Sequence, residues 1–266
     1  MAKDAIGIVD LGLEGFSIAK ILAENLKKEK IVYVTDLTYE SHLNVTDNEI
    51  GEIVKRCVGA LAAHNPKLVI VASGIIVERA ASVILDLVVP SVNIVETLID
   101  YANSKYEQKN MVLLAKEVLL EANLFQRNLK YNRLYQIPSD ELDEVVKAGM
   151  TKTSRSFNAV FESFKTVMKK PVDLVIAATP GLSTLETEMR EYLDFQEVTN
   201  LGMIYFERLS GGRLVNLNAR GRGGFFVYST LPKKEFKKYP GVKDCKFKYR
   251  QIESKEGSGF DAGKDQ

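Results

Sequence analysis

Two apolar runs in this chain break off at a hydroxyl residue followed by glycine. LVIVASG closes on Ser73 and Gly74, and LVIAATPG closes on Thr179, Pro180 and Gly181. Leu68 and Leu174, Ile70 and Ile176, and Ser73 and Thr179 are each 106 residues apart. A buried strand that ends this way enters an active-site loop, so Ser73 and Thr179 read either as a symmetric pair of catalytic groups or as the remains of one. Asp10 ends a third such run, AIGIVD, and could serve as a base beside Ser73.

Other candidates for chemistry are weaker. His42 and His64 are the two histidines, one on a loop and one at a helix end, and they predict no shared metal site. Cys57 falls on an apolar helical stripe and reads as a core residue. Neither it nor Cys245 has metal-ligand or redox spacing. Gly7, Gly12 and Gly15 lack the spacing of a dinucleotide fingerprint. No cofactor is expected.

The elements that must position these residues follow from periodicity. Ala5–Asp10, Ile31–Asp36, Leu68–Ser73 and Ser91–Val95 read as strands, continuously apolar as in a sheet covered on both faces. Phe16–Leu26 and Asn48–Ala63 read as helices, the second with Ile50, Ile53, Val54, Cys57, Val58 and Leu61 on one stripe and Asp47 as its N-cap. The order then restarts. A strand at Asn110–Ala115, 105 residues after Ala5–Asp10, leads into a helix over Val118–Leu129. A strand near Arg133–Ile137, helices at Ser139–Ala148 and Thr151–Met168, the second Leu-Val-Ile strand and a helix at Thr184–Leu193 complete that half. Gly224–Thr230 reads as a late strand and Lys233–Lys238 as a short helix, and the polar stretch 254–266 as a disordered tail.

Two nearly equal offsets predict a duplicated α/β unit with parallel sheets and right-handed crossovers. In such folds ligands bind at the carboxyl ends of strands, so Asp10, Asp36, Ser73, Ala115 and Thr179 are expected on one cleft between the halves.

Composition fits a soluble globular protein, with 45% hydrophobic and 27% charged residues. Thirty-six basic residues nearly balance thirty-five acidic ones. Without a signal-peptide pattern or an apolar run near the ~20 residues that span a bilayer, a cytoplasmic location without membrane insertion is expected. Residues 220–266 hold twelve Lys/Arg against six Asp/Glu. No aromatic stacking motif accompanies them, so a solvated basic subdomain is the simpler reading and no nucleic-acid partner is expected.

AIGIVDLGLEGFSIAK, IVYVTDLTYESHLNVTDNEI and FFVYSTLPKKEFKKYPGV, together with the two LVI runs, resemble the aspartate/glutamate racemase family, and the glutamate racemases within it. The resemblance runs almost end to end. It implies two like α/β domains facing a cleft, here 1–96 with 207–253 and 97–206. It places Asp10, Gly12, Gly15 and Asp36 on family positions. It also implies departures. Leu11 stands for a substrate-binding serine, and Ser41, His42 and Leu43 for a Pro-Tyr-Gly loop. Ser73 stands for one catalytic cysteine, with Gly74 and Ile75 for the Asn and Thr beside it. Thr179, Pro180 and Gly181 stand for the second cysteine, the threonine and the histidine after it. Ala115-Lys116-Glu117-Val118-Leu119 replaces an anion-binding turn and keeps neither threonine.

Racemisation without a cofactor needs two opposed groups that change protonation state near neutral pH. A thiol with a pKa of ~8.5 can be moved into that range, whereas a hydroxyl needs an adjacent base. Leu11, Ile75, Val118 and Leu119 also remove donors that would offset the desolvation of an amino-acid dianion. The expected function is therefore a catalytically inactive racemase-like protein with a binding, regulatory or structural role. Two alternatives stay open: an amino-acid isomerase with altered chemistry at Ser73, Thr179 and Asp10, and, from the resemblance alone, an inhibitory contact with DNA gyrase. A homodimer is expected, with a filament or another protein partner as the other outcomes.

Overall fold

The computed structural model describes residues 4–39 and 45–253; Ser41, His42, Leu43 and the tail 254–266 lie outside the described residues. Among these residues the strands form two all-parallel sheets. The first joins β1 (Ala5–Asp10), β2 (Lys30–Thr35), β3 (Pro66–Val71) and β4 (Ser91–Asn93) with β9 (Gly224–Ser229) and β10 (Lys248–Gln251), in the order β10-β9-β2-β1-β3-β4. The second orders β5 (Lys109–Ala115), β6 (Tyr131–Pro138), β7 (Leu174–Ala177) and β8 (Glu197–Val198) as β6-β5-β7-β8. The order β2-β1-β3-β4 thus recurs as β6-β5-β7-β8, the repeat that the 105- and 106-residue offsets predict. Sheet and helix elements together make two α/β units, each built around one parallel sheet.

Helices cover both faces of the strands, which is why β1 is buried along its whole length. In the first half these are α1 (Phe16–Asn25), α2 (Asp47–Ala62), α3 (Gly74–Arg79), α4 (Ala81–Leu85) and α5 (Ile94–Tyr106). In the second they are α6 (Glu117–Ala122), α7 (Asp140–Lys147), α8 (Ser154–Phe164), a 3₁₀ turn at Leu182–Leu185 and α9 (Glu186–Tyr192). α10 (Leu201–Ser210), α11 (Lys233–Phe236) and α12 (Pro240–Lys243) lead back to the first sheet. One apolar core runs between the sheets, from Ile6, Ile8 and Phe16 through Leu98 to Met111, Leu113 and Ile176. Separate cores fill the far faces, around Val9, Val54 and Cys57 in one half and around Val112, Val160 and Met189 in the other.

Several sequence expectations are corrected. The strand at Ser91 stops at Asn93, because the Asn93 side chain accepts the Glu96 N–H and caps α5 in place of further strand. The helix expected over Val118–Leu129 ends at Ala122, where Asn123 turns left-handed at φ 57°. Thr46, not Asp47, caps α2: its hydroxyl accepts the Glu49 N–H while Glu49 accepts the Thr46 N–H, a reciprocal pair. The helix expected from Thr151 starts at Ser154 behind a Thr153 cap. The α2 stripe faces the core: Ile50, Ile53, Val54, Cys57 and Leu61 are all buried. No helix among the described residues is long and apolar enough to cross a membrane.

Candidate functional site

The carboxyl ends of β1, β3, β5, β6 and β7 meet between the two sheets. Asp10, the last residue of β1, is buried and held by three donors. Leu11 N–H donates to Oδ1 at 2.8 Å, Gly15 N–H to Oδ2 at 2.8 Å, and the Tyr33 hydroxyl lies 2.9 Å from Oδ2. Gly15 must be glycine here, since a Cβ would come within 2.6 Å of Ala72 Cβ and 2.8 Å of the Asp10 carboxylate. Burial, with the Glu14 charge added, raises the Asp10 carboxyl to about 7. Among the described residues no hydrogen bond joins Asp10 to Ser73.

On the opposite side Thr179 has what Ser73 lacks. Its hydroxyl donates to Asp143 Oδ2 at 3.2 Å and lies 3.4 Å from the Ser139 hydroxyl, which donates to the same oxygen at 3.0 Å. Asp143 comes from α7 and is 7% exposed. Burial raises it to about 7, with Lys116 pulling down and Glu14 pushing up. A carboxyl that titrates there can exchange protons at neutral pH.

Between the two sides Lys116, at the head of α6, reaches Glu14, in the loop before α1, at 2.7 Å. Burial alone would lower the lysine, but Glu14, Asp143 and Asp10 outweigh it and hold it above its ordinary value. Burial alone would raise Glu14, and the Lys116 charge and hydrogen bond hold it down.

The inner space, lined by Ser73, Thr179 and their neighbours, is about 30 Å³, room for a water molecule or two. A Cβ on Gly74 would overlap Leu119, so that side chain lies directly against the Gly74 backbone. Outside the Glu14–Lys116 pair the cleft widens to about 920 Å³, reaching α6 and α7 on one wall and Leu11, Leu37 and Ile75 on the other.

Of the residues singled out in the sequence, Asp10, Ser73, Gly74, Ile75, Thr179 and Pro180 line the inner space, and Leu11, Ser73 and Ile75 line the outer one. Gly181, left-handed at φ 98°, lies on the far side of Pro180 in a groove against α1. Ala115 is buried, and its carbonyl accepts the Ser139 N–H. Asp36 does not reach the cleft; it is buried against Arg56 at 3.0 Å and accepts the Thr38 N–H. Glu14, Lys116 as a cation, and Asp143 were not marked from the sequence. The one available signal was an acidic Asp143 between Leu142 and Val145 on the buried face of α7. His64 bonds the Tyr228 hydroxyl at 2.6 Å. Among the described residues no group of three His, Cys, Asp or Glu is placed to hold a metal.

No protein-family model matches the chain. A glutamate racemase of Lactobacillus acidophilus is 22% identical over 206 residues, covering 76% of this chain and 77% of its own. Glutamate racemase 3 of Caldanaerobacter subterraneus is 23% identical over 236 residues, covering 84% of each. Among solved structures, the glutamate racemase of Thermus thermophilus in complex with β-chloro-D-alanine superposes with a TM-score of 0.79 at 16% identity, over 96% of this chain and 98% of that one. The fold is thus shared with the glutamate racemases, and these relatives support the aspartate/glutamate racemase family.

Proposed function

We propose that this chain is a racemase-like protein that does not racemise and whose cleft serves a binding role. One observation carries the reading: the space between Ser73 and Thr179 is about 30 Å³, against the ~300 Å³ and more of ordinary ligand sites. Leu119 against Gly74 and the Glu14–Lys116 pair fill the volume that an amino acid would need. Neither hydroxyl is a thiol, and among the described residues no base is hydrogen-bonded to Ser73. The domains are proposed at 1–96 with 207–253 and at 97–206, each around one sheet. The test is α-proton exchange in deuterated water with D- and L-glutamate and aspartate. No incorporation is expected; incorporation abolished by Ser73→Ala would sink the reading.

A second reading has an observation of its own. Asp10 and Asp143 both titrate at about 7, and Asp143 is hydrogen-bonded to Thr179. A carboxylate-driven isomerase acting on another amino acid would use them as its two acid–base groups. Exchange lost in Asp143→Asn and retained in Ser73→Ala would favour it.

A further inference from the structure

The outer cleft is strongly acidic. Its lining includes six carboxyl side chains, Glu14, Glu117, Glu121, Asp140, Asp143 and Glu144, against two cations, Lys116 and Lys147. Both lysines are already engaged, Lys116 by Glu14 at 2.7 Å and Lys147 by Glu144 at 3.5 Å. The other four carboxyls have no ion-pair partner among the described residues. Three of them, Glu117, Glu121 and Asp140, are exposed at the rim.

Asp143 is different. It is 7% exposed, its Oδ2 takes both hydroxyls, and its Oδ1 has no hydrogen-bond partner among the described residues. A buried acceptor left unpaired is costly, a cost that a ligand N–H donor would remove. Such a donor is best supplied by an ammonium, with three N–H groups and a charge of the right sign. An acidic amino acid would instead bring more negative charge to a surplus of carboxylates. A metal ion needs converging ligands that the described residues do not offer.

We propose that the outer cleft binds a small organic polyamine, one ammonium donating to Asp143 Oδ1 and another held at the rim by Glu117 and Asp140. The assignment rests on the reading of the cleft as a binding site. It explains why Lys116 can stay locked on Glu14: the charge that the cleft lacks is supplied from outside.

The binding should be linked to protons. Asp143 is raised to about 7 by burial. It faces Lys116 and Glu14 across the cleft, the Ser139 and Thr179 hydroxyls beside it, and Asp140, Glu144 and Lys147 on its own helix. A group titrating near 7 is about 10% ionised at pH 6 and about 90% at pH 8, while an aliphatic diamine stays doubly charged at both.

Isothermal titration of the full chain with 1,4-diaminobutane, L-glutamate and magnesium chloride at pH 6 and pH 8 is the test. The diamine should bind about tenfold more tightly at pH 8. Asp143→Asn should weaken it at least tenfold at pH 8 and remove the pH dependence. The exposed double substitution Glu117→Gln with Asp140→Asn should weaken binding in a chain whose circular dichroism is unchanged, which guards against a folding artefact at Asp143. Tighter binding of glutamate, equal competition by magnesium, or no heat with the diamine would each overturn the assignment. Exchange of α-protons is read separately, so absence of amine binding in a chain that also fails to exchange overturns this inference alone.

Discussion

Lys116 Nζ lies 2.7 Å from Glu14 Oε1, one ion pair tying the strand ends of the two sheets together across the cleft. Their side chains are 29% and 22% exposed, respectively, too covered for water to replace a lost partner fully. Lys116→Met should therefore destabilise the fold by about 1–3 kcal/mol, between the values for surface and buried pairs. Adding Glu14→Gln should recover most of the loss. Urea unfolding of the four chains of that cycle measures the coupling; strict additivity would show that the pair does nothing for closure.

Stability should fall with pH across the acidic range because of Asp10 and Asp143. Both are raised from 3.8 to about 7, chiefly by burial. Between those values the folded chain binds more protons than the unfolded one, so this contribution is complete at low pH and disappears as pH rises through 7. Asp143→Asn cannot ionise. It should be more stable than the parent at pH 8 by about 1–3 kcal/mol and closer to it at pH 5. Unfolding midpoints at the two pH values decide this, and a parent chain with no advantage lost would refute it.

Restoring thiols should not restore racemisation. Ser73→Cys with Thr179→Cys leaves Leu119 against Gly74 and Lys116 on Glu14, so an amino acid in the outer cleft still cannot pass between positions 73 and 179. Circular-dichroism assays with D- and L-glutamate should stay at the buffer rate. Turnover by the double variant would show that the inner space opens readily.

A homodimer is expected in solution. Leu85, at the end of α4, and Val88 are 82% and 94% exposed, next to the free edge of β4. A stable interface needs about 800 Å² per partner, and apolar side chains this bare are its natural centre. Sedimentation at micromolar concentration should give twice the 29.7 kDa chain mass, and Leu85→Glu with Val88→Glu should give the single mass. A monomeric parent chain would end that expectation.

Most strands were legible because burial on both faces leaves uninterrupted apolar runs, and Asp10, Ser73 and Thr179 were legible as the residues that end them; β8, two residues long, and β10, a largely exposed Lys-Tyr-Arg-Gln, carry no such run. α5 was missed because Ile94-Val95 continues the apolar run of β4, although Asn93 followed by Glu96 is a cap signal. Glu14 and Lys116 were not legible as a pair: 102 residues separate them, and sequence spacing does not say which side chains two half-molecules bring together. Asp143 pairs with a residue 36 positions away on another element, and its place between Leu142 and Val145 on α7 marks it as turned inward without saying what it meets there. Asp36 closes the apolar run IVYVTD as Asp10 closes AIGIVD, but β2 stops at Thr35, and Asp36 one residue beyond it is buried against Arg56 from α2, away from the cleft.

The return of the chain to its first sheet bears on how the protein is made. β2 pairs on its outer side with β9, residues Gly224–Ser229, whereas all four strands of the second sheet lie between Lys109 and Val198. During synthesis the outer edge of β2 stays bare until Gly224–Ser229 has left the ribosome. The half encoded second completes its hydrogen bonding first. A transcript truncated before Gly224 would release a polypeptide with an open parallel edge, the kind of surface that recruits other nascent chains into aggregates.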